Sequence, residues 1–338
     1  MRGADHPRAD TWRPVWDHGP VNGYLISADG SAVPADRETV QRLLDQGQLL
    51  WLDLLRPDES DLALLTDVLG IHPLAAEDAD HFGQRPKIED YDDFTQLVAY
   101  GVRDMGAPLV EVHCLYSERY LVTVRHDDCG AFAAMRARLA RPSFKRPGRL
   151  LLLHRLLDEL VDEFFPVLSE FDDRIDALQD EILAKPTDSQ LSELFTMKRW
   201  LIGARKIVTP QRDMMVSLLS GASELPGMTP DAERYFRDLY DHLIRISDLV
   251  DSYRDLLTGS MDSYLSTVSN RLNSVMKQLT VIATVFLPLS FLTGFFGQNF
   301  AWMINHLNGM ADFVVIGIGT EVAAVVGLFV LFRRRGWV

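Results

Sequence analysis

A stripe of small and polar side chains recurs every three or four residues near the C-terminal end of the chain. Its members are Asn273, Met276, Thr280, Ala283, Leu287, Ser290, Gly294 and Gly297. This spacing puts them on one helix face and brings copies of the helix together around an axis. Small side chains allow a close helix pair, but they also leave a bore when several copies surround a lumen. The polar atoms of Asn273, Thr280 and Ser290 favour a bore that conducts ions, because water can hydrate them and lipid cannot.

The stripe runs into the first of two long apolar segments. Residues 279–296 are 18 uncharged residues, and residues 313–332 are 20 residues with one acid, Glu321. About 20 helical residues cross a bilayer core of roughly 30 Å, so each segment predicts one span of a tight hairpin. The alternative is a pair of buried helices in a soluble protein. The basic run Arg333-Arg334-Arg335 predicts a cytoplasmic C-terminus, and two spans return the N-terminal part to the cytoplasm.

Charge is distributed unevenly along the chain. The 338 residues carry a net charge of −14, and residues 1–277 account for 31 basic and 46 acidic residues. A nucleic-acid binder would need a basic surface, and this composition offers none. Ten acids fall within residues 158–181, which indicates either a solvated helix face or a surface that collects cations. We therefore expect a cell-membrane protein, embedded in the lipid bilayer, with a large acidic cytoplasmic part.

The remaining patterns divide the chain into four parts. We predict a loosely ordered tail at 1–20, an α/β cytoplasmic domain at 21–145, a helical domain with a stalk at 146–277, and the transmembrane hairpin at 278–338. The hairpin comprises spans at about 279–297 and 312–332, an outer loop at 298–311 and a basic tail. The predicted fold class is an α+β cytoplasmic domain followed by a very long stalk helix and two C-terminal transmembrane helices.

Local patterns predict several elements within these parts. Alternating apolar residues and turns indicate strands at 49–55, 95–103, 110–116 and 120–125, and helices at 38–46 and 59–69. Thr229 before Pro230 is a helix N-cap with proline in the first turn. The next proline is Pro288, which favours one helix of roughly 90 Å at ~1.5 Å per residue. Cys114 and Cys129 are predicted to be free, buried thiols of a cytoplasmic domain.

The motif at the end of the first span has a family likeness. Phe296-Gly297-Gln298-Asn299-Phe300, the run that precedes it from Asn273, and Tyr235-Phe-Arg-Asp-Leu-Tyr-Asp-His242 together resemble the CorA family of divalent-cation transporters. The resemblance implies a funnel-shaped homopentamer in which the first spans line a central pore. It implies a selectivity filter at Gly297, Gln298 and Asn299, and an acidic ring at Asp262. It also implies that the pore is lined by Asn273, Met276, Leu279, Ala283, Leu287, Ser290, Gly294 and Asn299. Within the helix, this set differs from the stripe only in containing Leu279 instead of Thr280.

The resemblance also implies closure by the transported ion. The segments His72-Pro-Leu-Ala-Ala-Glu-Asp78 and Gln84-Arg-Pro-Lys87 look like family segments. The matching positions are Asp78, with Glu77 beside it, and Asp238 of a neighbouring subunit. Apposed carboxylates repel unless a cation lies between them, so loss of regulatory Mg²⁺ would loosen this interface and open the pore.

The sequence departs from the family pattern at the filter and in the outer loop. Gln298 replaces the usual Met, and the loop lacks acids but contains His306, a softer ligand. These departures leave room for Zn²⁺, Co²⁺ or Ni²⁺ beside Mg²⁺. Glu321 is an intramembrane acid, which suggests a role in proton or ion coupling. The alternative is a protonated acid that bonds to the first span.

Four functions follow for the chain. The first is a pentameric, channel-like Mg²⁺ transporter gated by cytoplasmic Mg²⁺. The second is a Zn²⁺ or other transition-metal transporter of the same architecture, driven by protons. The third is a tethered metal enzyme with ligands at His72, Glu77, Asp78, Asp80 and His81, which we reject because no catalytic motif accompanies that spacing. The fourth is a scaffold or sensor that has lost transport.

Overall fold

The computed structural model describes residues 23–26, 31–48, 50–141, 148–298, 301–306 and 309–337. They form two compact units. The first unit contains residues up to 178 together with 189–260, and the second contains 179–188 and the residues from 261 onward.

A seven-stranded sheet organises the N-terminal part of the first unit. Its strands are β1 Gly23–Ile26, β2 Ala32–Pro34, β3 Leu50–Leu55, β4 Lys87–Asp90, β5 Thr95–Gly101, β6 Val110–Tyr116 and β7 Tyr120–Arg125, in the order β2-β1-β3-β7-β6-β5-β4. The β3–β7 pair is parallel, with Leu50 opposite Tyr120, and the other pairs are antiparallel. The predicted β6–β7 hairpin is confirmed at both strands, and β5 ends two residues earlier than predicted.

Five helices accompany the sheet: α1 Arg37–Asp45, α2 Glu59–Asp67, α3 Pro73–Asp80, α4 Gly130–Leu139 and α5 Arg149–Asp162. Successive side chains of a strand point to opposite faces. On β3, Leu52 and Leu54 join the core formed with α1, α2 and α3. Trp51 lies 6.4 Å from the ring of Phe132 on α4, measured between ring centroids. The sheet is therefore covered by helices on both faces, and both cysteines are free and buried as predicted.

Three long helices follow along the chain: α6 Phe164–Ala184, α7 Asp188–Leu219 and α8 Pro230–Phe296. The predicted cap is confirmed, since Thr229 Oγ1 accepts a hydrogen bond from Ala232 N at 3.2 Å. Helix α8 is continuous for 67 residues, so it contains the predicted long helix and continues past Pro288. Within the first unit its buried side chains repeat at three- and four-residue steps: Phe236, Leu239, Leu243, Ile246, Val250, Tyr253 and Leu257. This repeat packs the N-terminal half of α8 into the core of that unit.

The second unit contains the remainder of α8 and the C-terminal helices α9 Ala301–His306, α10 Met310–Asp312, a π-helical turn Phe313–Ile318 and α11 Gly319–Arg334. Two helices, Pro230–Phe296 and Met310–Arg334, are long and apolar enough to cross a membrane, and their apolar windows are unburied in the chain. The predicted outer loop needs correction because it contains α9. The second span begins before residue 312, since the Asp312 carboxylate accepts from Gly309 N at 3.3 Å and caps the helix start.

Candidate functional site

The predicted stripe lies along a single continuous helix. Asn273, Met276, Leu279, Thr280, Ala283, Leu287, Ser290 and Gly294 all belong to α8 and are all exposed in the single chain. Leu287 is 73% exposed and Leu279 is 58% exposed, which are high values for apolar side chains. From residue 273 to 294 the helix rises about 32 Å, close to the thickness of a bilayer core. Such a face needs other protein, lipid or a lumen to cover it.

The stripe contains Thr280 where the family resemblance implies Leu279 as the pore-lining residue, so the hydrogen bonding of the Thr280 hydroxyl is relevant to this choice. Thr280 Oγ1 donates to Met276 O at 2.8 Å. Its hydrogen is therefore used within the helix, while its oxygen lone pairs stay available to water or a cation. Both residues are exposed, so their assignment to the pore stays a prediction.

The filter motif begins where α8 ends. Gly297 N donates to Thr293 O at 2.9 Å and Gln298 N donates to Phe295 O at 3.3 Å, which closes the last helical turn. A Cβ added to Gly297 would lie 3.1 Å from Thr293 O, closer than ordinary van der Waals contact. Asn299, the third residue of the motif, lies outside the described residues.

The predicted sensing acids Glu77 and Asp78 lie on α3, and Asp78 has a cationic partner. Lys87 Nζ is 3.0 Å from Asp78 Oδ2 and 2.9 Å from Glu89 Oε2. Burial lowers the pKa of Lys87, but hydrogen bonds to Glu89 and Asp78 raise it by more, so its pKa lies above the ordinary value. The Asp78 carboxylate therefore has a counter-ion within its own subunit, which it shares with Glu89.

The loop between α3 and β4 is held by a buried acid that the sequence analysis did not identify. Glu111 on β6 accepts hydrogen bonds from Gly83 N, from Gln84 N at 3.1 Å and from His113 Nε2 at 2.9 Å. Burial raises the pKa of Glu111, but the hydrogen bonds from His113 and Gly83 hold it below its ordinary value. This anchor fixes the position from which Lys87 reaches Asp78.

The ligand set of a tethered enzyme does not form on α3. His72 Nδ1 accepts from Leu74 N at 3.2 Å and His81 Nδ1 is 2.8 Å from Glu77 O, so both rings bond to their own segment. Within the described ranges, the acid and histidine side chains that could hold a metal ion together lie elsewhere, on α5 and α8.

That group consists of Asp158, Asp162 and His242, which we call the acid–histidine cluster. One ligand atom from each lies within 4.8 Å of the others. His242 Nδ1 is 3.0 Å from Asp162 Oδ1 and 3.9 Å from Asp158 Oδ1. Two carboxylates and an imidazole are ligands that suit Zn²⁺, Co²⁺ or Ni²⁺ better than Mg²⁺.

Electrostatics link the acid–histidine cluster to Asp238. Burial, then the charge of Asp162, raises the pKa of Asp158 above its ordinary value, and the charge of Asp238 adds to this shift. Asp238 itself is exposed on α8, one helical turn before His242. The predicted sensing acid therefore belongs to a larger acidic surface. The four-residue spacing of Asp158 and Asp162 was visible in the sequence, but only folding brings His242 to them.

Within the second unit, the intramembrane acid bonds to the first span. Thr293 Oγ1 lies 2.8 Å from Glu321 Oε1 and 2.9 Å from Leu289 O. The sequence suggests that Glu321 is either a coupling residue or an acid that bonds to the first span, and the structure contains this bond. Asp262 lies on α8 and is exposed.

Comparisons with known proteins agree with this architecture. The family model described as "CorA-like Mg2+ transporter protein" matches residues 46–334. The "Cobalt/magnesium transport protein CorA" of Thermotoga maritima is 32% identical over 324 residues, which cover 94% of this chain and 91% of that protein. The "Putative metal ion transporter YfjQ" of Bacillus subtilis is 32% identical over 288 residues, covering 85% and 89% of the two chains.

A solved structure gives the same fold. The complete structure of the CorA magnesium transporter from Methanocaldococcus jannaschii aligns with a TM-score of 0.74 at 24% identity, over 86% of this chain and 92% of that one. The soluble α/β domain, the long helix and the two C-terminal apolar helices are therefore shared. The chain belongs to the family of CorA-like Mg²⁺ transporter proteins, and it is an integral membrane transporter of divalent cations, not an enzyme.

Proposed function

We propose that five copies of the chain assemble around the stripe of α8 and pass Mg²⁺ through the central lumen. The observation that carries the proposal is the exposure of the stripe from Asn273 to Gly294 on one uninterrupted helix. Polar members of the stripe can be hydrated in a lumen, whereas lipid would leave them unsatisfied. A ring of neighbouring copies both covers this face and encloses the lumen through which the cation passes.

The residues along this path suit a hydrated cation. Mg²⁺ sheds water reluctantly and usually keeps several waters when bound. Amide and carbonyl oxygens of Gly297, Gln298 and Asn299 form a neutral ring, where five carboxylates would hold the ion too firmly for release. Leu287 forms an apolar constriction that gates by dewetting. Asp262 forms an acidic ring on the stalk, toward the cytoplasmic mouth.

Regulation in this proposal uses cations between subunits. Glu77 and Asp78 of one copy face Asp238 of the next, and Mg²⁺ bridges them in the closed state. When the cation leaves, the carboxylates repel, the interface loosens and the pore opens. The acid–histidine cluster near Asp238 enlarges the surface that senses the cation. The basic run Arg333-Arg334-Arg335 supports cytoplasmic termini, which expose this surface to cytoplasmic cation.

Transport of Zn²⁺, Co²⁺ or Ni²⁺ is the second candidate. The imidazole of His242 beside Asp158 and Asp162 favours it, because nitrogen ligands select these metals over Mg²⁺. Gln298 in the filter and His306 in the outer segment point the same way. In this version Glu321 carries a proton that drives transport.

Uptake into proteoliposomes tests the two candidates. Mg²⁺ and Zn²⁺ uptake are measured separately, each with and without a pH gradient. The first candidate is supported if Mg²⁺ uptake does not depend on the pH gradient and is lost in Asn299→Ala. Asn305→Ala is the matched control, because it removes the same amide in the outer segment outside the motif. Zn²⁺ uptake that needs the gradient and Glu321 supports the second candidate, and no uptake of either ion refutes both.

Gating has a separate test. Asp238→Ala should leave the pore open at Mg²⁺ concentrations that close the unmodified protein. Asp241→Ala is the control, since it removes an exposed acid three residues further along the same helix. Closure of Asp238→Ala at the unmodified concentration would refute the sensing role of Asp238.

A further inference from the structure

The second span contains one acidic residue, and its hydrogen-bond partner lies in the last turn of α8. Glu321 is the only Asp, Glu, Lys or Arg between residues 313 and 332, and residues 278–311 contain none. Glu321 Oε1 lies 2.8 Å from Thr293 Oγ1. Burying a carboxyl group at this depth is costly, so its hydrogen bond accounts for where the side chain lies.

Thr293 connects this bond to the filter through its backbone. Its carbonyl accepts the hydrogen bond from Gly297 N at 2.9 Å, in the final turn of α8. Thr293 also precedes Gly294 of the stripe by one residue, which is about 100° around the helix. The hydroxyl of Thr293 thus faces Glu321 on the flank of the stripe, while its carbonyl holds the first filter residue.

The hydroxyl of Thr293 has two neighbours that can accept its hydrogen. Thr293 Oγ1 lies 2.9 Å from Leu289 O and 2.8 Å from Glu321 Oε1. The hydroxyl therefore connects a backbone carbonyl of the preceding turn of α8 with the carboxyl group of the second span.

The backbone before Glu321 is arranged to reach Thr293. The π-helical turn Phe313–Ile318 ends just ahead of it. A π-turn holds one residue more than the α-helical turn it replaces, so it rotates the following side chains by about 100°. Thr320 Oγ1 donates to the carbonyl of Ile316 and also lies 3.1 Å from Gly317 O, so it places a donor within that turn. An uninterrupted α-helix would present a different residue to the first span.

We propose that Glu321 is a positioning residue for transport. It bonds to Thr293, fixes the second span against the last turn of α8, and so sets the position of Gly297. It transfers no proton during transport. This inference rests on the proposed pore, and it removes Glu321 from the proton-coupled alternative.

The test compares conservative and disruptive variants in proteoliposomes. Glu321→Gln keeps an oxygen that can accept from Thr293 Oγ1 and should retain divalent-cation flux within about twofold, with an unchanged pH profile. Glu321→Leu and Thr293→Val each remove the bond and should lower flux about tenfold, and the double variant should lose no more than either single one. Thr284→Val is the control, because it removes a hydroxyl from the same span without touching Glu321.

A second measurement keeps the inference independent of the ion. Melting temperatures in detergent are measured for the unmodified protein, Glu321→Leu, Thr293→Val and the double variant. They should show the same non-additivity as the flux. The inference would be overturned if Glu321→Leu had the same flux as the unmodified protein. It would also be overturned if Glu321→Gln lost its flux or changed the pH profile. If the unmodified protein passes neither Mg²⁺ nor Zn²⁺, the proposed function fails, while an additive melting cycle would reject the Glu321–Thr293 pair on its own.

Discussion

Replacing Lys87 by methionine should make the transporter close at a lower concentration of cytoplasmic Mg²⁺. Lys87 Nζ is bonded to Asp78 Oδ2 and to Glu89 Oε2 at 3.0 and 2.9 Å. A cation that binds Asp78 must compete with this ammonium group. Methionine keeps the apolar stem of the side chain but removes the charge, so Asp78 and Glu89 are left without their common counter-ion.

The exposure of the pair sets the size of the effect. The side chains of Lys87 and Asp78 are 27% and 42% exposed, so water screens their attraction. Pairs of this kind stabilise by about 0.2–1 kcal/mol. Since ~1.4 kcal/mol is a tenfold change in affinity, the half-closing concentration of Mg²⁺ should fall about 1.4- to fivefold.

Currents through excised patches, with graded Mg²⁺ bathing the cytoplasmic face, give this concentration directly. Arg37→Met is the matched control, because Arg37 pairs with Asp67 at 3.2 Å on a surface outside the proposed sensing acids. Asp78→Asn should shift the half-closing concentration in the opposite direction. An unchanged or raised value for Lys87→Met would refute the idea that Lys87 competes with the cation.

Three further predictions concern the first unit. Burial raises the pKa of Glu163 from 4.5 to about 7, so the stability that its proton provides is complete below pH 4.5 and lost as the pH rises through 7. Glu163→Gln should therefore raise stability at pH 8 by about 1–2 kcal/mol, measured by thermal unfolding, whereas Glu170→Gln on the surface should not. Gly130→Ala should lower the melting temperature, because the new Cβ would meet the Glu163 carboxylate, and this loss should vanish in Glu163→Ala. Burial raises the pKa of both Cys114 and Cys129 to about 12, so both thiols should resist labelling at pH 8 until the protein unfolds.

The elements that the sequence predicted correctly are those with a local signal. Helix α8 follows from the Thr229 cap and a long run without proline, and strands β6 and β7 follow from alternation around a short turn. The helix α9 was missed because six residues carry too little periodicity to separate a short helix from a loop. Strand β2, of three residues, was missed for the same reason.

The candidate sites divide along the same line. The stripe on α8 could be predicted because its residues share one helix, and helical geometry fixes their common face. The acid–histidine cluster could not, since Asp162 and His242 are 80 positions apart and meet only when α5 packs beside α8. The Lys87–Asp78 pair escaped for a related reason, because the turn held by Glu111 decides which way Lys87 faces.

The arrangement of charge along the proposed path has a physical reason that concerns rate. An ion must be attracted strongly enough to enter and released fast enough to leave. Acids such as Asp262 stand on the stalk, where water screens them and they raise the local concentration of cations without trapping them. At the proposed filter the ion meets neutral oxygens, and Glu321 of the second span bonds to Thr293 on the flank of the helix. Glu321 therefore lies outside the proposed bore. A carboxylate placed inside the bore should slow release of the ion more than it speeds entry.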